Sequence, residues 1–156
     1  MDDEERIEIG TDADIVEARA TGRALAVRLG FSRTDATLIA TAISEITRNM
    51  LVHAGRGTVE LRGVYERDRH GIVVVASDDG PGIRDVELAM QDGWGAPGSL
   101  GLGLPGSRRL MDELEVETTV GAGTTVTMTK WRSRDTPERL RDQRGQQEHE
   151  KERAWR

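Results

Sequence analysis

The segment "SRTDATLIATAISEITRNMLVHAG", residues 32–55, constrains the fold more than any other part of the chain. At 100° per residue, Ile39, Ala42, Ile43, Ile46 and Met50 fall on one stripe, which predicts a helix laying one face on a core. Ser32 stands at the N-cap position with Asp35 three residues on, an imperfect capping box, and Gly55 stands where a left-handed C-cap glycine is expected. Along the edge of the stripe run Glu45, Asn49 and His53, spaced so that they stack in one column. Thr41 and Arg48 lie farther round toward solvent. A core helix has no need of such a column. A carboxylate one turn from an amide oxygen, half shielded by core, could orient a hydroxyl or a water and help to hold Mg²⁺, an ion that takes most of its charge compensation from substrate phosphates. The bland alternative is a solvated helix edge ending in a histidine at the C-cap.

The other segments surround this helix in a legible order. "RIEIG" alternates as a first strand, and "TDADIVEARATGRALAVRLG" is a helix capped by Thr11 or Asp12 and closed by Gly30. "TVELRGVYERDRHGIVVVASDD" reads as a strand, a polar turn and a buried strand, hence a hairpin. Between residues 80 and 106 glycine and proline interrupt the chain, leaving a long loop with one short helical turn near residues 86–90. "LPGSRRLMDEL" resumes as helix, and "LEVETTVGAGTTVTMTKW" is a closing hairpin turned at residues 121–123. An antiparallel or mixed sheet covered on one face by three helices follows, an α/β two-layer sandwich. Residues 1–131 form the expected domain. Residues 132–156, rich in Arg, Glu, Gln and Asp, form a charged tail expected to be disordered or a solvated helix.

Composition removes several function classes. A length of 156 residues allows one domain with a real core. The longest strongly apolar run, residues 72–76, is far too short to span a bilayer, so no membrane partner is expected. The acidic start "MDDEERIEIG" lacks a signal-peptide pattern, and the absence of cysteine excludes disulfides and thiolate metal sites, so a cytoplasmic location is expected. A net charge of −6 argues against a nucleic-acid partner, because neutralising phosphates calls for a basic face.

Two further stretches carry chemistry. In "ASDDGPGI" a buried strand ends at Asp78, whose carboxylate could accept from an exocyclic amine, while Gly80 and Gly82 let a flat ligand approach the backbone. A plain tight turn is the alternative, since Asp, Gly and Pro favour turns in any case. In "GSLGLGLPG" dense glycines expose successive N–H groups ahead of a helix N-terminus, a cradle suited to a triphosphate. No Gly-Lys-Ser/Thr follows, so this is not a Walker A loop, and it sits too late in the chain for a dinucleotide-binding fingerprint. A flexible loop is the alternative.

Taken together, "SEITRN", "DDGPGI", "GLGLPGSRRLMDE" and "GAGTTVTMTKW" resemble the GHKL superfamily of ATP-binding domains with the Bergerat fold, and within it the small serine/threonine kinases of bacterial partner-switching systems, stressosome switch kinases among them. The resemblance covers about residues 5–131. It implies that Asn49 coordinates Mg²⁺ and that Glu45 is the general base or orienting carboxylate for the attacking hydroxyl. It implies that Asp78 accepts from the adenine amino group of ATP, helped by a water also held by Thr124. Gly80 and Gly82 would line the adenine, and Gly101, Leu102 and Gly103 would wrap the phosphates. Residues 84–100 would be the ATP lid. They contain no lysine, unlike the lid of larger family members, so phosphate charge would fall to Mg²⁺, the backbone and Arg108 or Arg109. His53 lies near a position the family uses and is read as structural. No phosphoacceptor hairpin or transducer segment is recognisable, which points to a kinase acting on a separate small protein. The implied partners are a STAS-domain substrate and, after release, a PP2C-type phosphatase. An anti-sigma factor of the same fold, binding a sigma factor, and a nucleotide-gated binding module without transfer activity are the alternatives.

Overall fold

The structure, a computed structural model, describes residues 3–84, 90 and 103–132. In chain order these form β1 (Glu4–Ile9), α1 (Asp12–Arg28), α2 (Arg33–Ala54), β2 (Gly57–Glu66), β3 (Arg69–Asp78), α3 (Gly103–Leu110), β4 (Glu113–Thr119) and β5 (Gly123–Trp131). Residues 86–89 of the expected helical turn, and the tail beyond residue 132, lie outside the described residues. No helix among the described residues is long and apolar enough to cross a membrane.

The helix starts follow local hydrogen bonding. Thr11, rather than Asp12, caps α1: its hydroxyl accepts from the Asp14 N–H at 3.3 Å, and the Asp14 carboxylate accepts from the N–H groups of Gly10 and Thr11 at 2.8 and 3.0 Å. This reciprocal arrangement satisfies N–H groups that a helix start leaves without intrahelical partners. Ser32 caps α2 through the Asp35 N–H at 3.1 Å, and Gly55 ends it at φ 81°, where only glycine is unstrained.

The sheet runs β1-β2-β3-β5-β4, and all four pairings are antiparallel. Of the two sheet types the sequence allowed, the antiparallel one is realised. Alternation sends Ile7, Ile9, Val59, Leu61, Ile72, Val74, Ala76, Val126 and Met128 into a single core with the helices. The opposite face carries a mostly polar row, Arg6, Glu60, Thr127 and Glu115 with Val75 at its centre, which are cross-strand neighbours in register. One covered and one open face is the two-layer arrangement expected from the order of elements. From α2, Ile39, Ala42 and Ile43 are fully buried and Ile46 and Met50 nearly so, as the stripe requires. Thr41 and Arg48, placed toward solvent by the sequence, are half-buried.

The third helix is shorter than its sequence pattern suggested. It ends at Leu110 rather than Leu114, and β4 begins at Glu113 rather than at Leu114. The reason is tertiary. The Asp112 N–H donates to the Thr129 carbonyl at 2.9 Å, and its carboxylate accepts from the Trp131 N–H at 2.7 Å. The sheet edge therefore captures the chain before the helical period is exhausted.

Asp14 is held below the usual carboxylate pKa, chiefly by the Gly10 N–H and also by the Thr11 hydroxyl and N–H. A carboxyl depressed in the folded state contributes stability above its unfolded pKa and loses it as pH falls through the folded value. Thr11→Ala is expected to cost about 1 kcal/mol in urea denaturation. The stability gap between the parent and Asp14→Asn is expected to be present at neutral pH and to close as the medium is acidified.

Candidate active site

The core helix and the end of the central strand enclose a cavity of about 470 Å³. Its walls are largely apolar: Ile46 and Met50 from α2, Ala76 from β3, Val126 from β5, Leu104 from α3, and Ile83 from the chain leaving β3. Into this pocket face Asn49, Asp78 and Thr124, together with Gly82, His53 and Arg84. An apolar slot with a few convergent polar groups is the usual form of a small-molecule site.

Asp78 and Thr124 are brought together by the sheet. They are direct cross-strand partners at the last rung of the β3–β5 ladder, on the face that carries Ala76 and Val126. Asp78 Oδ1 accepts from the Gly80 N–H at 2.9 Å, which orients the carboxylate and leaves Oδ2 available to a ligand donor. Thr124 is buried, and its hydroxyl lies 2.9 Å from that of Thr118.

The two glycines of "DDGPG" differ in their roles. Gly82 lines the cavity at φ 78°, and a Cβ there would stand 2.5 Å from the Thr119 carbonyl. Gly80, expected to line a flat ligand, is not among the lining residues. A Cβ on it would meet the Ala54 Cβ at 2.5 Å, so its missing side chain lets the strand end pack on the C-terminus of α2. The hairpin turn clamps this loop from the other side. The Gly121 N–H donates to the Pro81 carbonyl at 2.8 Å, and the Ile83 N–H donates to the Thr118 hydroxyl at the same distance.

The polar column on α2 is divided by burial. Glu45 and Asn49 are 8% and 6% exposed, whereas His53 is exposed. Glu45 Oε2 and both amide atoms of Asn49 are buried without a hydrogen-bond partner among the described residues. Each such group costs about 1–3 kcal/mol if it stays unsatisfied, a cost that a ligand or water would relieve. The Asn49 oxygen is a hard neutral donor suited to Mg²⁺. Among the described residues no cluster of three or more His, Cys, Asp or Glu could cage a metal. A single amide oxygen fits an ion whose other ligands are phosphates and water. Glu45 is not among the residues lining the cavity.

Of the phosphate cradle, Gly103 opens α3, while Gly101 and Leu102 lie outside the described residues, as do the lid positions other than Arg84 and Met90. Arg108 and Arg109 are exposed on α3 and do not line the cavity. Among the described residues, the Arg84 guanidinium and the His53 imidazole do line it, and the sequence singled out neither for binding. Arg84 follows "GPGI" directly, and that position was its only signal. His53 was read as structural, although it stands one turn beyond Asn49 on the same edge.

A family model for the histidine kinase-like ATPase domain matches residues 10–130. The chain belongs to that family. ATP binding comes with membership of this ATPase family. The chain is 44% identical over 131 residues to the serine/threonine-protein kinase RsbT of Bacillus subtilis, covering 84% of this chain and 98% of that one. It is 36% identical over 124 residues to the anti-sigma F factor of Caldanaerobacter subterraneus, covering 76% and 85%. The fold also matches the RsbU and RsbW domains of a Mycobacterium tuberculosis protein with a TM-score of 0.52 at 20% identity, over 81% of this chain and 32% of that one. The GHKL assignment and the layered fold expected from the sequence are thereby shown.

The closing hairpin offers a test of how tightly the site is built. Gly123 sits at φ 121° with its missing Cβ directed into the Asp78 carbonyl, whereas Gly121, at φ 84°, has nothing within 4 Å. Gly121→Ala is expected to cost about 1 kcal/mol from backbone strain alone. Gly123→Ala is expected to cost about 2–4 kcal/mol in urea denaturation and to weaken ATP binding, because it pushes β5 off the end of β3.

Proposed function

We propose that this protein is an ATP-dependent serine/threonine-protein kinase of a bacterial partner-switching pathway, of the stressosome type, that phosphorylates a STAS-domain protein. One observation carries the reading: Glu45 and Asn49 are buried one turn apart with polar atoms unpartnered among the described residues, on a helix that also walls an apolar cavity ending in Asp78 and Thr124. The near full-length similarity to a serine/threonine-protein kinase supports the same reading.

In this reading the base of ATP lies between the apolar walls, with its amino group donating to Asp78 Oδ2. Gly82 lets the flat ring approach the backbone. Asn49 would hold Mg²⁺, which when bound supplies positive charge to the phosphates. The Glu45 carboxylate orients the partner's Ser or Thr hydroxyl, or takes its proton, as the hydroxyl oxygen attacks the γ-phosphorus and ADP leaves. Gly101, Leu102 and Gly103 would wrap the phosphates with backbone N–H groups, and residues 84–100 would close as a lid. Because that lid carries no lysine, the Arg84 guanidinium at the cavity wall would meet phosphate charge, with the His53 imidazole beside it able to donate a hydrogen bond. Phosphorylation adds nearly two negative charges to the partner surface and so would release the kinase. The freed kinase would then activate a PP2C-type phosphatase. A cytoplasmic location, where ATP is abundant, belongs to the same proposal, as do the domain limits 1–131 and a tail at 132–156.

The second reading is an anti-sigma factor, supported by the similarity to anti-sigma F factors. Affinity purification with and without ATP separates the two. A STAS-domain protein or phosphatase supports the switch kinase, and a sigma factor supports the rival. For Glu45→Ala, ATP binding is expected to persist while transfer to the purified partner falls at least 100-fold; transfer at the parent rate would exclude the assigned role. Asp78→Asn keeps an acceptor for Gly80 but places an amide donor where Oδ2 stood. It is expected to weaken ATP binding about tenfold or more by calorimetry.

A further inference from the structure

We propose that Thr118, a residue outside the cavity wall, is a positioning residue that fixes the hydrogen-bonding polarity of Thr124 and thereby the choice of nucleotide base. The inference rests on the reading of Asp78 and Thr124 as the base end of the ATP site. Thr118 Oγ1 stands at the centre of three contacts: the Ile83 N–H at 2.8 Å, the Gly123 carbonyl at 3.1 Å and the Thr124 hydroxyl at 2.9 Å.

A threonine hydroxyl has one proton to give and two lone pairs to offer. The Ile83 N–H can only donate, so it takes one lone pair. The arrangement that satisfies all three contacts at once gives the proton to the Gly123 carbonyl, which can only accept. One lone pair remains for the third contact, and Thr124 must therefore donate to Thr118. The hydroxyl of Thr118 is then saturated. The proton of Thr124 is committed away from the cavity, and Thr124 shows a ligand only lone pairs. Asp78 Oδ2, its cross-strand neighbour, is likewise an acceptor. The base end of the cavity is thus acceptor-only. It welcomes an exocyclic amine and repels a carbonyl oxygen at the same ring position.

The same hydroxyl also anchors the wall opposite. Ile83 and Gly82 both line the cavity, and the Ile83 N–H is held by Thr118. One side chain on β4 thus couples the loop that contacts the base to the hydroxyl that reads it. Sequence alone does not mark Thr118, because it is one threonine among several in "TTVGAGTTVTMT".

The test compares ATP with inosine triphosphate, which carries a carbonyl in place of the amine. Binding to the full-length chain is measured by calorimetry for the parent, Asp78→Asn, Thr118→Val, Thr118→Ser, Thr124→Val and the Thr118→Val/Thr124→Val double variant. The parent is expected to prefer ATP, and Asp78→Asn to lose ATP affinity. In Thr118→Val the freed Thr124 hydroxyl can turn to donate, so ATP binding is expected to fall about tenfold while inosine triphosphate binding holds or improves. Thr118→Ser should restore the parent preference. Thr124→Val should narrow the preference similarly, and the double variant no further, since both act on one hydrogen bond. An unchanged preference in Thr118→Val, even with both affinities lowered, would overturn the role of Thr118. So would additive losses in the double variant. A parent without preference, or Asp78→Asn with parent affinity, overturns the base-site reading itself and this inference with it.

Discussion

The pairing of β3 with β5 is the constraint on which the rest of the molecule depends. β5 is the last described strand, yet it inserts between β3 and β4, and its register sets Asp78 against Thr124 on the core-facing side. A slip of one residue would turn Thr124 to the open face and bring Val126 out of the core with it, because side chains alternate along a strand. Register and site are therefore specified by the same apolar contacts. Val74 opposite Met128 and Ala76 opposite Val126 bury the ladder that ends in the two polar residues. The glycine at position 123 completes the arrangement, since a side chain there would enter the Asp78 carbonyl.

The helix α2 solves a related problem by burial. Its apolar stripe is fixed on the sheet by Ile39, Ala42 and Ile43, all fully buried, so the neighbouring edge is rigid. Glu45 and Asn49 ride on that edge with polar atoms that have no hydrogen-bond partner among the described residues. Such groups are costly in a folded chain and are tolerated where a ligand completes them. His53, one turn farther on, escapes the cost because the helix is ending and the side chain reaches solvent. The division of the column is thus a matter of depth along one helix.

Much of this was legible in the chain itself. The α2 stripe, the caps at Ser32 and Gly55, and both hairpins follow from local rules of period and turn chemistry. The column of Glu45 and Asn49 was visible because four-residue spacing stacks side chains irrespective of what surrounds the helix. Local rules failed where a distant partner intervened. "RLMDEL" keeps a helical pattern, but Asp112 binds Thr129 and Trp131 and is drawn into the sheet. Gly80 looked like a ligand-facing glycine beside Gly82, and only the tertiary structure shows that its missing side chain makes room for Ala54.

The sequence by itself determined most of the elements, their order, the family and the candidate residues for binding a nucleotide and moving a phosphoryl group. Those are properties of side-chain type and spacing, which need no knowledge of the third dimension. Tertiary structure decided which of them meet. It paired Asp78 with Thr124, set Arg84 rather than Arg108 or Arg109 at the cavity wall, and put the Thr118 hydroxyl where three partners compete for it. Hydrogen-bond polarity in a small cluster depends on every member at once, and no local stretch of sequence contains them all.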